Sequence, residues 1–232
     1  VALLADDHRV LRTWVPLARI PRSLREAVVA SEDRRFRQHL GLDLRGGLRA
    51  VVANVRAGGL REGASTITQQ LARGLFLGNQ RTWSRKLSEA LLALGLEALL
   101  SKDQILEMYL NMVYWGQSGS DGVAGVAEAA SWYFDAPVES LSVPQAALLA
   151  GIIPAPNAYS PFRNPRTALT RRNLVLADMV ETGVLDARTA ARLRLGPLGV
   201  RRGSPPPANF PGYVGYVRQY LEEHLPKGAA EH

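Results

Sequence analysis

Residues 82–100 read TWSRKLSEALLALGLEALL, and Leu87, Leu91, Leu94 and Ala98 recur there at helical spacing. The stretch predicts a helix from about Thr82 to Leu100. Ser101 with Gln104 restarts the chain into a second helix, with Ile105, Met108, Tyr109 and Met112 along one face. Further on, Ser142-Val-Pro-Gln145 opens an apolar helix that stops before Pro154. Pro165 precedes another, from about Arg166 to Thr182 and closed by Gly183, and a short one follows near Asp186 to Arg194. Toward the N-terminus, Thr66 and Gln69 form a capping pair for a helix running to about Phe76. Asp43 can cap a helix carrying Leu44, Leu48, Val51, Val52 and Val55 until Gly58-Gly59. Ser23-Leu-Arg-Glu26 reads as a capping box after Pro21, with Leu24, Ala27 and Val28 on one face. Strand alternation is nearly absent. The fold class is mainly α.

The chain has 232 residues, 47% hydrophobic and 21% charged, an ordinary globular balance that argues against disorder. It has no cysteine, which excludes a disulfide scaffold, a Cys nucleophile, an iron–sulfur cluster and a Cys-ligated zinc site. Of 28 basic residues only Lys86, Lys102 and Lys227 are lysine, and the formal net charge is +7. Such a surface attracts polyanions: nucleic acid, anionic headgroups or a phosphate-bearing substrate. Ala146 to Ile153, the most apolar run, is far short of the roughly 20 residues that span a bilayer. The opening VALLADDHRV carries charge too early for a signal peptide, so any membrane anchor is expected outside this chain. GPLGVRRGSPPPANFP (196–211) has linker composition, and Tyr213 to Leu225 reads as a short helix with little core. The expected organisation is one domain over 1–195, then a Pro-rich linker and the start of a following module over 196–232.

Five clusters carry chemistry. In EDRRFRQHLG (32–41), Glu32 and Asp33 point about 100° apart on a helix, so one of them faces any given pocket. Glu32 shares a face with Val28 near a helix C-terminus, a setting that raises a carboxyl pKa and suits a general base. His39 reads as a structural histidine, and the scattered histidines form no metal set. In GASTITQQ (63–70), small and hydroxyl residues lead into a helix N-terminus, where free N–H groups favour an anion, with Gln69, Gln70 and Arg73 following. Arg81, Arg85 and Glu89 stack at i, i+4, i+8, with Lys86 three before Glu89. That is either a solvated salt-bridge stripe or a diphosphate-binding one, and the cation excess favours the second. In KDQILEMYLN (102–111), Glu107 and Asn111 read as a brace, while Asn111 is also carried among the substrate-binding candidates. RRNLVL (171–176) reads as a basic helix face of low specificity.

In this order, EDRRFRQHLG, GASTITQQ, RKLSE (85–89), KDQILEMYLN and RRNLVL resemble the five motifs of the family 51 peptidoglycan glycosyltransferases. These are the transglycosylase domains of class A penicillin-binding proteins and their monofunctional relatives. The resemblance covers roughly Pro21 to Gly183. Gly74 stands where the family usually has Asn, Trp115 where Phe is common, and Gln117 to Gly125 departs from the usual small, Gly-rich pattern.

The resemblance implies a lysozyme-like, two-lobed α-helical domain, with a globular head and a membrane-associated jaw, on the extracytoplasmic face of the bacterial membrane. It implies polymerisation of lipid II into β-1,4 glycan strands, with inversion and release of undecaprenyl diphosphate. By motif match, Glu32 is the general base on the acceptor 4-OH. Glu89 is the second catalytic carboxylate, assisting the diphosphate directly or through a divalent metal, Mg2+ or Mn2+. Arg73, Arg81, Arg85 and Lys86 would hold the diphosphate, while Ser65, Thr66, Gln69 and Gln70 line the donor side. The implied partners are lipid II, the growing lipid-linked strand, the outer leaflet and a transpeptidase domain in a longer chain, with no nucleic acid. Moenomycin is the family's donor-site inhibitor.

The residues support this chemistry on their own. A departing sugar diphosphate needs cations, and the acceptor alcohol needs one ionised carboxylate. Hydrolysis of a glycoside would instead need a carboxylic acid to protonate the leaving oxygen. A glycan-cleaving enzyme would digest sacculi without a lipid-linked donor, and a basic binding module would show salt-sensitive DNA affinity without needing Glu32 or Glu89. The residues three before the lysines are Trp83, Leu99 and His224, so there is no Ser-x-x-Lys transpeptidase motif.

Overall fold

The computed structural model describes residues 13–43, 45–46, 65–77, 82–118 and 121–204. They fall into two compact units. The first takes its described residues from Arg35–Tyr109, the second from His8–Arg34 and Leu110–Asn209. Helices dominate both, as the capping pattern predicts.

In the first unit, α2 (Ile67–Phe76) packs against α3 (Trp83–Leu99), and α4 begins at Lys102 of its Lys102–Met112 span. Thr66 caps α2 with a full capping box, and Thr82 caps α3 by accepting the Arg85 N–H. The core is built from Phe36, Ile67, Leu71, Leu96, Ile105 and Leu106. Gly41 sits at φ +87°, and a Cβ there would lie 2.9 Å from the carbonyl oxygen of Ala93, so only glycine lets this turn touch α3. Asp43 accepts the Gly46 N–H at 2.9 Å, as a helix cap does. The rest of the helix expected after it, including Leu44 and the 47–59 stretch, lies outside the described residues.

One outcome on α3 departs from the usual logic of an apolar stripe. Leu87, Leu91 and Leu94, which mark the helix in the sequence, are exposed, as is Trp83 at 92%. The buried face is Glu89, Leu92, Ala93 and Leu96. Leucines on two faces give the helix two apolar stripes, and the one that enters the core contains a carboxylate.

In the second unit, α1 (Arg22–Glu32), α6 (Val143–Ile152) and α7 (Pro165–Glu181) pack together. Helix α6 is buried all round from Ala146 to Ile152, which makes it the central helix. A Cβ on Gly151 would lie 3.0 Å from the Arg171 backbone, so α6 and α7 cross with no room for a side chain. Helix α8 (Ala187–Arg194) follows, capped by Asp186, and α7 starts with Pro165 in its first turn. The start of α1 is a correction: the helix begins at Arg22 with Pro21 as N-cap, and Ser23 is inside it, making no cap. Pro21, at φ −53°, already holds the chain at the helix entrance.

Three elements have no counterpart in the sequence-based expectation. Tyr114–Ser118 (β1) and Asp121–Ala124 (β2) form an antiparallel hairpin, irregular at Trp115. There Tyr114 pairs with Ala124 and Gly116 with Val123, leaving Trp115 as an extra residue turned fully into the core, its Nε1 donating to the Leu149 carbonyl at 3.1 Å. Helix α5 (Val126–Phe134) comes next, entered through Gly125 at φ +91°. Its Tyr133 hydroxyl donates to the Trp115 carbonyl at 2.7 Å, tying hairpin and helix together.

Candidate active site

In the first unit the sequence places Thr66 and Gln69 at the start of α2, and both are spent there. Thr66 Oγ1 accepts the Gln69 N–H at 3.1 Å and donates to the Gly41 carbonyl at 2.6 Å. Gln69 Oε1 accepts the Thr66 N–H at 3.0 Å. Their side chains therefore hold the helix start in place, and what the start presents is the positive end of the helix dipole. Ser65 stands immediately before that end.

Against it lies the head of α3. The i, i+3 and i, i+4 spacings bring Lys86 and Arg85 onto Glu89, whose side chain is wholly buried. Lys86 Nζ is 2.5 Å from Glu89 Oε1, and Arg85 Nη1 is 3.1 Å from Oε2. The same Lys86 ammonium donates to Ser65 Oγ at 2.9 Å, which sets it at the N-terminus of α2. A lone buried carboxylate would be costly, and the two charge-assisted bonds offset that cost. The cluster carries two cations and one anion beside a helix dipole, and Lys86 remains partly open to solvent. An anion of two linked phosphates would find a positive, pre-formed site there.

Of the other candidates, Gln70 accepts the Tyr109 hydroxyl at 3.0 Å. Arg73, half-buried, is in the last turn of α2, seven residues or about 10 Å along the axis from Thr66. Arg81 lies outside the described residues. For a divalent cation the donors are poor: both Glu89 oxygens already face cations, and no group of three His, Asp or Glu among the described residues is placed to hold a metal.

The sequence reading overlooked Glu97. It lies eight residues after Glu89 on α3, and its enclosed carboxylate accepts Thr68 Oγ1 at 2.5 Å and Lys102 Nζ at 2.6 Å. Lys102 also sits 4.5 Å above the Phe36 ring. This network locks α2 to α3, and the only local signal for it was a second carboxylate about two turns after Glu89 on the same helix.

In the second unit, Glu32 is the last residue of α1 and is half-buried. Asn111 is buried and bonds the Val15 backbone from both ends of its amide, at 2.8 and 2.9 Å, so it braces the N-terminal segment. Buried Glu128 holds the same segment by accepting the Thr13 N–H. The basic face expected at 171–172 needs correcting. Arg172 is fully buried and donates to the carbonyls of Arg194, Gly196 and Pro197, closing the end of α8; burial lowers its pKa from the ordinary guanidinium value. The stretch after Gly196 is anchored in turn, with the Arg201 and Gly203 N–H groups on the Tyr133 and Trp132 carbonyls and Arg202 over Trp132 and Phe162.

Residues 2–180 match the Transglycosylase family model. The chain belongs to the Transglycosylase family. It is a glycosyltransferase domain of the class A penicillin-binding protein type. It is 41% identical over 225 residues to penicillin-binding protein 1B of Escherichia coli, covering 97% of this chain and 27% of that protein. It is 44% identical over 191 residues to penicillin-binding protein 1A of Aquifex aeolicus, covering 82% of this chain and 26% of that protein. The chain thus spans little more than a quarter of the length of the curated relatives it matches. A crystal structure of penicillin-binding protein 1A from Haemophilus influenzae aligns with 94% of this chain and 22% of its own, at 18% identity and a TM-score of 0.47. The helical content agrees with the mainly α expectation for this family.

Proposed function

We propose that this domain polymerises lipid II into β-1,4-linked glycan strands, with inversion and release of undecaprenyl diphosphate. The observation that carries the reading is the Lys86 ammonium, held between Ser65 at the start of α2 and the buried Glu89. In the reaction, Glu32 takes the proton from the acceptor 4-OH as that oxygen attacks the anomeric carbon of the lipid-linked donor. The C1–O bond breaks on the opposite face, which inverts the centre, and its electron pair leaves with the diphosphate. Lys86, Arg85 and the α2 dipole stabilise that charge, and Glu89 fixes the two cations where it develops. The exposed Trp83, Leu87, Leu91 and Leu94 lie on the helix that carries the cluster, an apolar face suited to the outer leaflet in which the lipid-linked donor resides. Among the described residues no helix is long and apolar enough to cross a membrane.

Labelled lipid II, with and without moenomycin, tests the reading. Wild-type protein forms moenomycin-sensitive polymer, and Glu32→Gln, which keeps size and hydrogen bonding, loses about 100-fold or more of the rate while melting normally. A Glu32→Gln protein that still polymerises at the wild-type rate overturns the assignment of the base.

A further inference from the structure

We infer that Arg34 is a positioning residue for Glu32, acting through a two-carboxylate clamp on Asp178 and Glu181. Helix α1 ends at Glu32, and Asp33 closes it with an N–H bonded to the Val29 carbonyl at 3.0 Å. The chain then turns, and the next side chain, Arg34, forks onto α7. Its Nη2 lies 2.5 Å from Asp178 Oδ1 and its Nη1 2.5 Å from Glu181 Oε2. The two acids are three residues apart, on one face of the helix, and match the planar guanidinium fork.

This is more than a surface pair. The Arg34 and Asp178 side chains are each only 24% exposed. Burial weighs against the charge of Arg34, and attraction to both carboxylates outweighs it, so its proton is held more firmly than in water. At Asp178 burial outweighs the pull of Arg34 and raises the carboxyl pKa.

The consequence falls on Glu32. The last carbonyls of a helix lack intrahelical partners, and a terminal residue frays unless something fixes the chain beyond it. Leu24, Ala27, Val28 and Ala30 anchor α1 before Glu32, and Arg34 anchors the chain two residues after it. The backbone that carries Glu32 is thereby held from both sides on a frame made of α1, α6 and α7. A base must sit within hydrogen-bond reach of the proton it takes, so loosening this clamp lowers turnover and spares donor binding. The inference rests on Glu32 as the base.

The test compares wild type, Arg34→Ala, Arg34→Lys and Glu181→Gln in the intact protein, using lipid II turnover, moenomycin binding and thermal melting. Arg34→Ala is expected to lower kcat about tenfold while KM and moenomycin affinity stay within about twofold. Arg34→Lys, which can satisfy one carboxylate at a time, should recover part of kcat, and Glu181→Gln should fall between it and wild type. If Arg34→Ala does not fold, Arg34→Lys decides, because it keeps the charge and must still show a kcat deficit at unchanged KM. Wild-type kcat in both Arg34 variants, or a loss of moenomycin affinity in proportion to kcat, overturns the clamp while leaving the glycosyltransferase reading intact. Failure of the wild type to polymerise lipid II removes that reading and the clamp's purpose together.

Discussion

Lys86 and Glu89 lie one turn apart on α3, with Nζ and Oε1 separated by 2.5 Å, the carboxylate enclosed and the ammonium reaching out to solvent. A buried anion is thus used to hold a cation that other groups can reach. The pair is asymmetric, and substitution should expose that.

Glu89→Gln keeps the side chain's size and one of its two acceptor oxygens and removes a buried charge, whereas Lys86→Ala leaves that charge with Arg85 alone. Unsatisfied buried acceptors cost about 1–3 kcal/mol, so Lys86→Ala should lower the melting temperature more than Glu89→Gln. Both should impair lipid II polymerisation. Calorimetry beside the polymerisation assay separates the two effects; a Glu89→Gln protein less stable than Lys86→Ala would contradict the account.

The exposed stripe of α3 yields a second expectation. Trp83, Leu87 and Leu91 are 92%, 64% and 62% exposed, so they contribute little to folding and are free to enter a lipid surface. Leu87→Ser with Leu91→Ser should leave the melting temperature within a few degrees, about the scatter expected of surface changes, and weaken sedimentation with anionic vesicles. Unchanged vesicle binding would show that another face meets the bilayer.

Where the sequence spoke clearly, the signal was local. Thr66, Thr82, Ser142 and Asp186 each announce a helix through a bond reaching three residues ahead, and all four stand at helix starts. Arg85, Lys86 and Glu89 were legible for the same reason, being one turn apart. Helix α5 was not, because it opens on Gly125 with no capping side chain, and the hairpin before it is two short strands with a bulge. Contacts distant in sequence left no trace. The Lys86–Ser65 bond spans 21 residues and the Arg34–Asp178 pair 144. Arg172 was read as surface because an arginine beside another arginine usually is; only the fold brings three backbone carbonyls to it.

The capping logic can itself be titrated at Asp186. This carboxylate stands at the start of α8 and accepts the Thr189 N–H at 2.8 Å, which holds its pKa below the usual 3.8. A group whose folded pKa is depressed stabilises the fold above its unfolded value and loses that contribution as pH falls through the folded one. Wild type should therefore be more stable than Asp186→Ala at neutral pH, with the difference narrowing only once the pH drops below about 3.8, the ordinary aspartate value. Asp186→Asn keeps a capping oxygen without a charge, so its stability relative to Asp186→Ala should stay flat across the same range. Amide exchange in α8, followed from neutral pH to well below the ordinary aspartate value of about 3.8, reads this directly. A gap between wild type and Asp186→Ala that widens on acidification would mean that the carboxylate is held by something other than the helix start.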